Sequence, residues 1–73
     1  MIIYDKLWQR LKEKGLSVNQ LHNKYEISKA QISRLKHNQV VYTSTLDRLC
    51  KILECSDISD IATYIPDEPT DNP

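Results

Sequence analysis

Residues 27 to 38, ISKAQISRLKHN, set four hydrogen-bonding side chains, Lys29, Gln31, Ser33 and Arg34, beside an apolar set of Ile27, Ala30, Ile32 and Leu35. Those donors have a definite chemistry. A guanidinium such as that of Arg34 can bridge the O6 and N7 acceptors of guanine, and a bidentate contact of that kind contributes about 1–3 kcal/mol of discrimination between bases. Lys29 can read guanine too or hold a phosphate, and Ala30 offers its methyl group to thymine. The bland alternative is a helix side that is merely solvated.

Other reactive residue types offer less. Cys50 and Cys55, if both lie on one helix, sit about 140° apart around its axis and roughly 8 Å apart between Cα atoms, beyond the reach of a disulfide. C-x4-C is not the usual zinc clip, and His22 and His37 are spaced too widely to complete one, so no metal site is expected. The cysteines read as small buried hydrophobes of a reducing compartment. His22 and His37 lack a nucleophile or paired carboxylates nearby, which leaves no catalytic constellation and points away from an enzyme. No cofactor or small-molecule ligand is called for.

Positioning the donor face requires helices. The spacing predicts a first helix from about Tyr4 to Lys14, with Ile3, Leu7, Trp8 and Leu11 inward and Gly15 as its stop. Ser17 opens a second helix, and Gln20 completes an S-x-x-Q capping box. The same pattern recurs eleven residues on, at Ser28 and Gln31, so the second helix must end near Tyr25 and a third must run from about Lys29 to His37. Two capped starts this close outline a helix-turn-helix. Asn38 is the expected left-handed stop. Thr43 or Ser44 caps a fourth helix with Leu46, Leu49, Cys50 and Leu53 inward and Arg48, Lys51 and Glu54 outward. A fifth, from Asp57 to Ala62, buries Ile58 and Ile61. The segment TYIP is expected to pair with MIIY as a small ribbon closing the domain. The fold class expected is all-α, with five helices in residues 1–66 and a flexible acidic tail over residues 67–73.

Composition sets the class of molecule. Of 73 residues, 40% are hydrophobic and 27% charged, as in a globular chain and not a disordered one. The N-terminus lacks a signal peptide's basic-then-apolar order, and no apolar run approaches a membrane span, so a cytoplasmic location with no membrane partner is expected. The net charge of zero conceals a segregation: all 10 Lys and Arg lie in residues 1–55 beside five acids, while residues 56–73 hold five acids and no base. A basic body with an acidic end is compatible with a polyanionic partner.

With LKEKGLSVNQLHNKYEISKAQISRLKHN, then TLDRLCKILECSDISDI and YIPDE in order, the chain resembles the Cro and phage-repressor family of helix-turn-helix regulators, in its small single-domain branch. The resemblance implies a sequence-specific regulator of transcription that binds double-stranded DNA, of the kind found in phages, prophages and mobile elements of bacteria, with the third helix in the major groove. One such module alone binds DNA modestly, so two-fold binding as a homodimer is expected, with contacts sought around the fifth helix and IATYIP, or at Trp8 if it is exposed. By the same resemblance Lys29, Ala30, Ser33 and Arg34 fall where base contacts are made, and Gln31 within reach of a phosphate or base. Ser17 and Ser28 fall where helix starts meet phosphates, while Lys36, His37 and Asn38 follow the backbone beyond. An alternative on the same fold is a protein-interaction module with little or no DNA binding.

Four positions depart from the family pattern. His22 replaces the usual small alanine between the second and third helices, so its ring must point outward or the helices must separate. Glu26 stands where glycine is common, implying left-handed strain or a different turn. Lys36 replaces a glutamate that pairs with a first-helix arginine, which frees Lys36 for phosphate. Val18 replaces a glutamine, and with it one familiar DNA contact is lost.

Overall fold

The computed structural model describes residues 1–66; the expected acidic tail, 67–73, lies outside the described residues. In chain order the elements are β1 (Ile2–Ile3), α1 (Asp5–Glu13), α2 (Val18–Asn23), α3 (Lys29–Lys36), α4 (Thr43–Ile52), a 3₁₀ turn (Ile58–Asp60) and β2 (Thr63–Tyr64). Among the described residues the expectation of five helices is therefore corrected to four α-helices and a single 3₁₀ turn, with a two-stranded antiparallel ribbon formed by β1 and β2. In that ribbon Ile2 pairs with Tyr64 and Ile3 with Thr63, as the expected pairing of MIIY with TYIP required. The core is one cluster in which Leu7, Leu21, Leu35, Leu49, Leu53 and Ile61 are fully buried, so each of the four helices anchors at least one side chain in it. Trp8 is half-buried against the same cluster. Among the described residues no helix is long and apolar enough to cross a membrane.

Each helix stops on a residue in left-handed geometry, and only one of the four is glycine. Gly15 (φ 71°) follows α1, Glu26 (φ 60°) the turn after α2, Asn38 (φ 54°) α3, and Glu54 (φ 56°) α4. After α1, α3 and α4 the hydrogen bonds form the same Schellman pair, in which the backbone folds back onto the last turn. The Leu16 N–H donates to the Leu11 carbonyl (3.0 Å), Gln39 to Arg34 (2.8 Å) and Cys55 to Cys50 (2.9 Å). The turn after α2 is wider, closed by Ile27 N–H donating to the Leu21 carbonyl at 2.9 Å.

The stop at Glu54 revises the geometry expected of the cysteines. With α4 ending at Ile52, Cys50 and Cys55 occupy the two positions that a Schellman turn brings into contact, so they are not on opposite sides of one continuous helix. Both thiols are free and partly buried against the core. Burial, followed by the neighbouring Cys55, pushes the Cys50 thiol above its ordinary value.

Why the fifth helix fails is visible in its carboxylates. Asp57 accepts from Ser59 N–H at 2.8 Å, and Asp60 accepts from Ser56 N–H at 2.9 Å and Asp57 N–H at 3.3 Å. These bonds satisfy the backbone in one tight turn, and they hold both carboxyls below the usual range, Asp57 chiefly through Ser59 and Asp60 chiefly through Ser56. Thr63 is then drawn into β2. Ile61 is buried as expected, but Ile58 is exposed.

Candidate nucleic-acid interface

Two serines set the helix-turn-helix. Ser17 Oγ accepts from Gln20 N–H (3.2 Å) while Gln20 Oε1 accepts from Ser17 N–H (2.8 Å), a closed capping box at the start of α2. Ser28 Oγ accepts from Gln31 N–H (3.2 Å) at the start of α3, but here the box stays open. Fourth-helix capping also departs from expectation: Thr43 is already helical, the cap position belongs to Tyr42, and no side chain caps it.

Gln31 explains both departures. It is only 6% exposed, and its Oε1 accepts from Tyr42 N–H at 2.9 Å and from Thr45 Oγ1–H at 3.2 Å. The side chain that would close the α3 box instead supplies the acceptor that the start of α4 lacks. Gln31 is thus an internal strut, which corrects its expected placement on the contact face. Its signal lies in the spacing, because Ile27, Gln31 and Leu35 form one row of period four, and both apolar members are buried.

The outward side of α3 carries the remaining candidates. Lys29, Ala30, Ser33, Arg34, Lys36 and His37 are all exposed, and α3 contains three cationic side chains and no acid. An open groove of about 560 Å³ separates α3 from α2, lined by residues that include Asn19, His22, Lys29, Ser33, Lys36 and His37. A second, of about 370 Å³, separates it from the start of α4 and includes Ala30, Arg34, Tyr42 and Arg48. Between these grooves α3 stands as a basic ridge. Ser17 and Ser28 are exposed at the two helix starts, where each hydroxyl accepts in its cap and keeps its own hydrogen to donate.

Several side chains outside that ridge hold it in place. Asn38 is half-buried and its Oδ1 accepts from Tyr4 N–H at 3.0 Å, so a residue expected along the DNA backbone instead pins the end of α3 to the start of α1. Arg48, expected merely to face out, donates to the carbonyls of Tyr25 and Glu26 in the α2–α3 turn. Arg10, with no acid at position 36 to pair with, donates to the carbonyls of Leu53 (3.0 Å) and Glu54 (3.0 Å) at the end of α4. Beside it Lys14 pairs with Glu54 at 2.6 Å, and this bond is the main cause holding the Glu54 carboxyl below its usual value. His22 is half-buried: its ring lines the open groove between α2 and α3, and it donates Nδ1–H to the Ile27 carbonyl at 2.9 Å, linking α2 to the entry of α3. Glu26 takes the strained alternative, since its φ of 60° lies in the left-handed region.

Comparison with known proteins agrees with this geometry. A family model described as a Cro/C1-type helix-turn-helix DNA-binding domain matches residues 6–67. The crystal structure of the transcriptional regulator VanUg, form II, superposes with a TM-score of 0.80 at 29% identity, over 90% of this chain and 87% of that one. Among curated proteins none matches.

Proposed function

Because the chain belongs to the Cro/C1-type helix-turn-helix DNA-binding family, we propose that it is a sequence-specific transcriptional regulator that lays α3 in the major groove of double-stranded DNA. One observation carries this reading: the exposed, acid-free ridge of α3 flanked by two open grooves. A B-DNA major groove, about 12 Å wide, admits one helix of this kind. Lys29, Ala30, Ser33 and Arg34 face the bases, with Arg34 bidentate to a guanine. Lys36 and His37 follow the phosphates past the end of α3, and the hydroxyls of Ser17 and Ser28 donate to phosphates at its entry. Asn38 and Gln31 act indirectly, fixing the ridge from behind.

A single short ridge reads only a few base pairs, so the protein works as a homodimer on two half-sites about one helical turn apart. The end of the molecule that carries the ribbon supports this, since Met1, Ile2, Ile58, Tyr64 and Ile65 are exposed large apolar residues. In kind it is a regulator of the phage, prophage or mobile-element type that the sequence resembles. Selection of duplexes from a random library should enrich one palindromic motif. Recovery of no motif after repeated rounds would sink the sequence-specific reading, and a motif without two-fold symmetry would remove the dimer.

A further inference from the structure

We infer that His22 and His37 make the groove between α2 and α3 a proton-linked seat for a phosphodiester strand, an inference that rests on the DNA-binding reading above. Both rings line that groove together with Lys29 and Lys36. In each, one nitrogen is already committed: His22 Nδ1 lies 2.9 Å from the Ile27 carbonyl and His37 Nδ1 lies 2.8 Å from the Ser33 carbonyl. A carbonyl only accepts, so each Nδ1 carries a hydrogen and Nε2 is left to meet an incoming group.

The two protonation states then differ in what they can bind. A neutral ring with its hydrogen on Nδ1 presents a lone pair at Nε2, which cannot hydrogen-bond to a phosphate oxygen. An imidazolium presents an N–H there, and a charge-assisted bond to phosphate is among the stronger hydrogen bonds available to a side chain. A phosphate seated in the groove therefore selects the charged rings, and binding takes up protons from solvent. Charge in the groove supports that occupant. Among the described residues that line it, the titratable ones are Lys29, Lys36 and the two histidines, with no carboxylate to compete for the imidazolium. Neither α1 nor α4 contributes a lining residue, and Glu26, four positions after His22, lines the opposite groove instead. Imidazole is the side chain type whose charge changes between about pH 5 and pH 8.

The test is the affinity for a labelled duplex, measured by anisotropy at fixed ionic strength from about pH 8 down to about pH 6, the span over which histidine titrates. Affinity should rise about tenfold across that span, the change expected when one proton or more is taken up on binding. In the His22→Asn, His37→Asn double variant the amide nitrogen replaces Nδ1 and keeps the carbonyl bonds, yet the slope with pH should vanish. If that variant fails to fold, proton NMR of the wild type replaces it: both imidazole Cε1–H signals should titrate at higher pH with duplex than without. Equal slopes in wild type and variant, or imidazole titrations unmoved by duplex, would overturn the inference while leaving DNA binding intact. Absence of duplex binding at every pH would instead remove the DNA-binding reading, and this inference with it.

Discussion

The starts of α2 and α3 carry the same four-residue pattern and end in different structures. At Ser17 the pattern closes on itself, whereas at Ser28 the glutamine leaves for the start of α4. Local preference is equal at the two sites, so the difference comes from what lies behind them. Gln20 is exposed and has only its own helix to serve. Gln31 sits in the row of Ile27 and Leu35, where an inward polar atom must be paired, and Tyr42 N–H and Thr45 Oγ1–H need an acceptor there. A tertiary bond to a buried group outweighs an exposed capping bond. The consequence is that the donor ridge is registered against α4 from inside, by a residue of the helix proposed to make the contacts.

Substitutions at the two glutamines should separate these roles. Gln31→Leu keeps the volume but strands the buried Thr45 hydroxyl and the part-buried Tyr42 N–H, so it should cost about 2 kcal/mol in urea denaturation, as expected when such donors lose their acceptor. Gln20→Leu, at the exposed box, should cost only about 0.5 kcal/mol. Equal losses would mean that Gln31 is no more than a second cap. Between the two starts lies Glu26, and Glu26→Gly should raise stability by about 1 kcal/mol, because glycine takes the left-handed turn without the Cβ penalty. Its Tyr25 and Glu26 carbonyls would still accept from Arg48. An unchanged or lower midpoint would show that the turn relaxes out of that geometry.

A third cap, the pair Asp57 and Asp60, extends the comparison to a charged case. Their folded carboxyls, like that of Glu54, are held below the ordinary value. A depressed folded value means stability that is present above the ordinary carboxylate range and is lost as pH falls through the folded value. Acid should therefore weaken the ribbon end before the helix-turn-helix, and Asp57→Asn should reduce that sensitivity in a pH-resolved thermal melt. A melt whose acid limb is unaltered by Asp57→Asn would assign the loss to other groups.

Much of this was legible in the sequence. Gly15, Ser17, Ser28 and Asn38 mark their turns through preferences that are local, and the ends of α1 to α3 fall within a residue or two of where those residues put them. The exposed candidates Lys29, Ser33 and Arg34 were legible for the same reason, since helical spacing alone sets which side they share. What the sequence hid depends on partners distant along the chain. Gln31 bonds to residues 11 and 14 positions away, Asn38 to one 34 away, and Arg10 to residues 43 and 44 away. Glu54 was hidden for a different reason. Nothing about a glutamate announces a left-handed stop, and without that stop Cys55 continues a helix when in fact it folds back on Cys50.

If duplex DNA meets α3 and the entry to α2 as proposed, amide chemical-shift mapping during a duplex titration should show shifts concentrated at residues 17–19 and 28–37. Shifts centred on the ribbon end, with α3 silent at saturating duplex, would contradict that proposal.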